Sequence, residues 1–204
     1  GKSALITGAA RGIGLHFAEA YVNEGARVAI ADINIERALA AAKRLGDQVI
    51  AIEMDVTDQA SIDNGVNMAA TTFDGIDILI NNAGLGGTKN LVDMTDDEWH
   101  RVIDITLTGT MRMTRAVLRV MQTRQSGVIV NNASVLGWRA QKEQCHYAAA
   151  KAGVMALTRC AAMEAAEFGV RINAVSPSIA MHDFLRKTTP PELLQELASK
   201  EAFG

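Results

Sequence analysis

Tyr147 and Lys151 stand four residues apart in the alanine-rich stretch Tyr147-Ala-Ala-Ala-Lys151, with Ser134 upstream. Alanine favours helix, and in a helix a spacing of four puts both side chains on one face, a single turn apart. A free tyrosine has a pKa near ~10 and exchanges protons poorly at neutral pH. An ammonium one turn away stabilises the phenolate, lowers that pKa and makes the tyrosine a usable acid or base. Taken alone, such a pair is more often a solvated surface feature. The rest of the chain decides between the two.

The elements that must hold this pair alternate along the sequence. Short apolar runs at 3–7, 27–31, 49–53, 77–80, 128–131 and 170–175 read as strands. Between them, residues 13–24, 35–45, 58–73, 95–122 and 146–168 read as helices. Gly25, Gly46 and Gly169 stop three of these helices, Asp58 is placed to cap another, and Thr95 with Glu98 forms a capping box. Continuous β-branched runs separated by helices predict a parallel sheet covered on both faces, a doubly wound α/β domain of the Rossmann type. We find no repeat, low-complexity tract or linker, so residues 1–204 are expected to form one domain. A short charged helix is expected at 192–200.

The first strand–turn–helix carries a cofactor signal in Thr7-Gly-Ala-Ala-Arg-Gly-Ile-Gly14. Gly8 permits a sharp turn, Gly12 lets backbone approach a pyrophosphate, and Gly14 lets helix and strand pack closely. The helix start offers unpaired N–H groups to phosphate. Gly8, Arg11, Gly12, Ile13 and Gly14 are therefore expected cofactor contacts. Asp32, closing the second strand, is placed to accept hydrogen bonds from the adenosine ribose and to repel a 2′-phosphate, which favours NAD(H) over NADP(H). Arg11 pulls modestly the other way, because a guanidinium could pair with that phosphate.

Composition narrows the classes further. With 204 residues, 49% of them hydrophobic, the chain can bury a sizeable core. A net charge of −3 gives no basic surface for nucleic acid or anionic membrane. The two cysteines, Cys145 and Cys160, are too few for a disulfide framework or a zinc site, and no other cluster of metal ligands is present in the sequence. No leader-like segment opens the sequence and no apolar run is long enough to span a bilayer, so a cytoplasmic protein is expected.

Taken together these residues resemble the short-chain dehydrogenase/reductase family, over nearly the whole chain and in the family's order and spacing. Thr7–Gly14 is similar to its glycine loop, Asp55-Val56 to the pair that contacts adenine, and Asn81-Asn82-Ala83-Gly84 to the element that supports the sheet and borders the cofactor. Ser134 lies at the family's serine, Tyr147 and Lys151 at its tyrosine and lysine, and Pro177 and Ile179 in the loop that closes over nicotinamide. The resemblance implies that Ser134 positions the substrate oxygen, Tyr147 exchanges its proton, and Lys151 binds the nicotinamide ribose while lowering the Tyr147 pKa. It implies no metal, a homo-tetramer or dimer, and a further helix and strand that residues 1–204 do not include.

Two departures from the family pattern bear on the chemistry. Thr106 occupies the place of an asparagine that helps hold a proton-relay water, and its hydroxyl lacks the amide's two donors. An altered relay is expected. Pro177-Ser178 replaces a Pro-Gly turn. For the substrate, Trp138, Met181, Phe184 and Leu185 offer apolar surface, while Arg139 and Lys142 are either contacts for the phosphates of a coenzyme A ester or solvated loop charges. His146 and His182 flank the expected site without an assigned role. The expected reaction interconverts a secondary alcohol and a ketone, on a 3-oxoacyl-CoA or a bulky alicyclic ketone or its CoA ester. The alternative is a non-catalytic dinucleotide-binding sensor or scaffold.

Overall fold

The computed structural model describes residues 1–178 and 191–199. Six strands, β1 (Ser3–Thr7), β2 (Arg27–Asp32), β3 (Val49–Glu53), β4 (Ile78–Asn81), β5 (Gly127–Asn132) and β6 (Val170–Val175), form one parallel sheet in the order β3-β2-β1-β4-β5-β6. The order reverses between β1 and β4. A crevice opens there at the carboxyl ends of the strands, where doubly wound folds bind their ligands.

Alternating side chains feed two cores. On one face Ile6, Ile30 and Ile80 pack with α1 (Gly12–Asn23) and α2 (Ile35–Leu45). On the other, Leu5, Leu79, Ile129 and Ile172 pack with α3 (Gln59–Phe73), α5 (Gly109–Arg124) and α6 (Cys145–Ala166). Strands buried on both faces read as continuous apolar runs, which is why they stand out in the sequence. The expected caps form as well. Asp58 accepts a hydrogen bond from the Ala60 N–H at 3.0 Å, and Thr95 and Glu98 close a reciprocal capping box. A last helix, α7, spans Pro191–Ala198.

One expectation is corrected. The helix predicted over 95–122 is three pieces: α4 (Asp96–Ile103), a π-helical turn (Asp104–Thr108) and α5. The turn widens at Thr106, whose hydroxyl donates to the Leu85 carbonyl (3.1 Å) and accepts from the Leu85 N–H (3.0 Å). The Thr106 carbonyl in turn accepts the Thr110 hydroxyl at 2.8 Å. Such single-turn widenings gather at functional sites, and periodicity alone does not reveal them.

Candidate active site

The glycine loop joins β1 to α1. Gly12 has φ 58°, a left-handed backbone, and a Cβ there would meet nothing within 4 Å among the described residues. Gly14 is the reverse case. A Cβ would lie 2.4 Å from the Gly8 carbonyl oxygen and 2.5 Å from Asn82 Nδ2, so this helix turn seats directly on the loop and on the end of β4. Gly8 (φ 61°) turns the chain against Ala83. Arg11 precedes the first turn of α1 in extended conformation and is exposed, and Ile13 lies in that turn. A small-residue cradle with open space at a helix start fits a dinucleotide pyrophosphate.

Asp32 ends β2 and is anchored by two backbone donors, the Ala10 N–H (3.1 Å) on Oδ2 and the Asn34 N–H (3.0 Å) on Oδ1. Each oxygen retains a second lone pair. Next to it a cleft of about 350 Å³ is lined by Ile33, Glu53, Asp55, Ala60, Ser61 and others. Asp55 also ties its own loop, accepting the Thr57 N–H and hydroxyl. Val56 is buried and packs against Gly109. Ile33 and Glu53 escaped the sequence reading, although Glu53 pairs in register with Asp32 across β2–β3.

Asn82 ties the crevice together. Its amide nitrogen donates to the Thr7 (3.1 Å) and Gly8 (3.0 Å) carbonyls, and its N–H and that of Ala83 both donate to the Thr7 hydroxyl at 3.0 Å. Gly84 follows, and a Cβ on it would lie 3.7 Å from both Lys151 Nζ and Thr106 Oγ1.

Ser134, Tyr147 and Lys151 come together on the far side. Ser134 caps the 3-10 turn Val135–Gly137, accepting the Leu136 N–H at 3.2 Å, and donates a hydrogen bond to the Tyr147 hydroxyl. Lys151 is 4% exposed; its ammonium sits 5.5 Å from the Tyr147 ring centroid and donates to the Asn132 carbonyl. Burial pulls its pKa from 10.5 to about 8.

The expected lowering of the Tyr147 pKa is corrected. Burial raises its pKa, and the Ser134 hydrogen bond offsets this only in part. The physical reason is direction: the Lys151 ammonium addresses a backbone carbonyl and the face of the ring. Spacing on a helix had placed the pair correctly but not where the ammonium points.

The second shortfall concerns Thr106. It is fully buried, and its one donor proton is already committed to Leu85. Asn132 was missed altogether. Its signal was visible as a second asparagine ending a strand, beside the Asn81-Asn82 pair that ends a neighbouring strand. Pro177 is placed by its carbonyl, which accepts the Val135 N–H at 3.1 Å. Ile179, Met181, His182, Phe184 and Leu185 lie outside the described residues. Trp138 is 73% exposed, Lys142 and Arg139 are exposed, and His146 is buried with Nδ1 lacking a partner among the described residues. Both cysteines are free and exposed.

A doubly wound sheet with a glycine cradle at its switch point and a serine–tyrosine–lysine cluster beside it defines a dinucleotide-dependent oxidoreductase. Comparison with known proteins gives the family directly: residues 2–192 match the short chain dehydrogenase family, and the chain belongs to it. It is 54% identical to the (5R,7aS)-5-hydroxy-7a-methyl-1-oxo-2,3,5,6,7,7a-hexahydro-1H-indene-carboxyl-CoA reductase of Mycobacterium tuberculosis, covering 100% of this chain and 80% of that one. It is 47% identical to a sorbitol dehydrogenase of Cereibacter sphaeroides, covering 88% and 70%. A crystal structure of a short chain dehydrogenase from Mycobacterium smegmatis superposes with a TM-score of 0.86 at 53% identity, over 89% of this chain and 78% of that one. The chain is thus an oxidoreductase acting on CH–OH groups with a nicotinamide dinucleotide. Among the described residues, no helix is long and apolar enough to cross a membrane.

Proposed function

We propose that the protein interconverts a secondary alcohol and a ketone with NAD(H), using Tyr147 as acid and base. The observation that carries this is the Tyr147 hydroxyl: it is held by Ser134, and the Lys151 ammonium lies beside the same ring. Burial keeps the phenol protonated, the form that donates to a substrate oxygen gaining charge. Ser134, bonded to that hydroxyl, is placed to hold the same oxygen. Lys151 has donors left for the nicotinamide ribose after its bond to Asn132. Bound nicotinamide supplies the hydride chemistry. Gly8, Arg11, Gly12, Ile13 and Gly14 would hold the pyrophosphate; Asp32, Asp55 and Val56 the adenosine; Asn82, Ala83, Gly84, Pro177 and Ile179 the nicotinamide end. Asp32, Glu53 and Asp55 crowd carboxylates around the adenosine cleft, which supports NAD over NADP.

For the substrate, the mycobacterial relative named for a bicyclic CoA ester supports a bulky alicyclic ketone or its CoA ester. The exposed Trp138, four residues after Ser134, supplies flat apolar surface of the right kind. The reading extends to one catalytic domain, in a cytoplasmic homo-oligomer of two or four chains.

The test is a panel of alicyclic ketones, their CoA esters and polyols, assayed with NADH/NAD⁺ and NADPH/NADP⁺ on the parent, Tyr147→Phe and Asp32→Ala. Tyr147→Phe should keep NADH binding and lose about 10³-fold in turnover. Asp32→Ala should narrow a parent preference for NADH. Unchanged turnover in the phenylalanine variant sinks the role of Tyr147, and a parent that prefers NADPH sinks the role of Asp32. NADH binding with no turnover on any substrate favours the sensor alternative.

A further inference from the structure

Strand β5 ends in Asn131 and Asn132, strand β4 ends in Asn81 with Asn82 directly after it, and the four side chains form two rungs. Asn81 and Asn131 are register partners. Their rung lies under the helices: Asn81 Nδ2 donates to Asn131 Oδ1 (2.8 Å) and to the Thr114 hydroxyl (3.0 Å), and Asn131 Nδ2 donates to the Thr158 hydroxyl (2.8 Å). Every outlet of that rung is a buried helix residue. It ties the sheet to α5 and α6.

The second rung is one residue further on and so faces the other way. Asn132 Nδ2 donates to Asn82 Oδ1 at 2.9 Å. Asn82 spends its own amide nitrogen on the carbonyls of Thr7 and Gly8, where the glycine loop begins. At the other end, the backbone carbonyl of Asn132 is the acceptor that holds the Lys151 ammonium. A continuous polar path therefore runs from Lys151, through residue 132 and Asn82, to Gly8.

The rung also leaves something open. Asn132 Oδ1 is buried and has no partner among the described residues. A buried orphan acceptor is destabilising, and an apolar side chain at the end of β5 would avoid that cost. Asn81 Oδ1 carries the same cost, but its amide nitrogen makes two bonds inside the packed layer. For Asn132, the one side-chain bond among the described residues is the bond to Asn82.

We infer that Asn132 is a positioning residue for the reaction, a brace that sets the carbonyl holding Lys151 in register with the glycine loop. The lysine and the cofactor cradle come from α6 and from the β1–α1 turn, more than a hundred residues apart in sequence. The ends of β4 and β5 link them. Fixing those two ends against each other fixes the distance between the ammonium and the ribose it is to hold. The inference rests on the oxidoreductase reading above, and its first readout, NADH binding, needs no substrate.

The experiment measures NADH affinity by fluorescence titration and ketone kinetics for the parent, Asn132→Leu, Asn82→Ala and the double variant. Asn132→Ser takes the place of the leucine variant if that one melts early. Asn132→Leu should weaken NADH about tenfold and lower kcat about tenfold at saturating NADH, because sub-ångström misplacement is expensive in rate. KM for the ketone should stay within about twofold, since neither rung bond involves Ser134 or the Tyr147 hydroxyl. The double variant should be no worse than the worse single one, as expected for groups acting through one bond. NADH affinity and kcat unchanged in the Asn132 variant, or additive losses in the double variant, overturn the inference. A parent that binds neither NADH nor NADPH overturns the dinucleotide reading on which the inference rests.

Discussion

The two ends of the parallel sheet solve opposite problems. At the amino ends, polar groups satisfy one another. The Ser3 N–H donates to Asp77 Oδ2 (2.8 Å), the Ser3 hydroxyl donates to the Gly75 carbonyl (2.8 Å), and Asp77 pairs with Lys2 (3.5 Å) and Arg124 (3.9 Å). Arg27 donates to the Phe73 carbonyl and stacks over its ring, 5.2 Å from the centroid. Burial pushes the Asp77 carboxyl up, but the Ser3 bonds and Lys2 more than offset it and hold it below the ordinary range. The cleft at that end, about 610 Å³, is larger than the one beside Asp55, yet two of its cations, Lys2 and Arg124, are paired with Asp77.

At the carboxyl ends the balance is reversed. A lysine is buried with its proton affinity depressed, a largely buried tyrosine has its own raised, and the Asn132 side-chain oxygen has no partner among the described residues. Gly12 faces open space in a left-handed conformation. Parallel strands present this edge to the crevice where the chain order reverses, so a ligand there can complete what the protein leaves incomplete. Local unfavourable choices concentrated at one end of an otherwise consistent fold mark the working end.

That contrast can be broken experimentally, beginning where the effect is largest. Gly14→Ala forces a Cβ to within 2.4 Å of the Gly8 carbonyl. It should cost about 3 kcal/mol of stability and abolish NADH binding, read by thermal melts and titration. A variant that binds NADH normally would show that the loop is slack.

Next comes the buried lysine. Its folded pKa, about 8, lies below its unfolded value of 10.5, so between those values the unfolded chain binds the extra proton and stability rises with pH. Denaturant unfolding should show parent stability increasing by roughly 2 kcal/mol from pH 7 to 9.5. Lys151→Met should lack that rise while losing turnover. An equal rise in both would assign it to another group.

Thr106→Val keeps shape and removes the hydroxyl that clasps Leu85. Raised KM for the ketone, by about tenfold, with NADH affinity intact is expected. Restoration by Thr106→Ser checks it. The smallest effect belongs to the amino edge. Asp77→Asn should cost about 1 kcal/mol at neutral pH and leave kcat and KM alone. Because the folded carboxyl is depressed, its contribution is present above the unfolded carboxylate pKa and fades as pH falls through the folded value. The parent and variant melting temperatures should therefore converge in acid.

Much of this was legible in the residue order. The continuous strand runs, the Asp58 cap, the Thr95–Glu98 box and the glycine loop are local signals, decided by neighbours within a few positions. The tyrosine and lysine share a helix face for the same reason. What stayed hidden was direction and contact between distant segments. The π-helical turn depends on Leu85, twenty-one residues from Thr106. The raised Tyr147 pKa depends on how deeply that ring is packed, and the Lys151 anchor on a backbone carbonyl nineteen residues away.

The sequence by itself determined the sheet, its two-sided cover, and which side chains would gather at the carboxyl ends, because period and turn chemistry are written residue by residue. Only the tertiary structure decided where the Lys151 ammonium points, that Thr106 spends its proton on a loop, and that Asn132 bridges to Asn82. Those outcomes follow from burial and from hydrogen-bond geometry, and both exist only once separate strands have been set side by side.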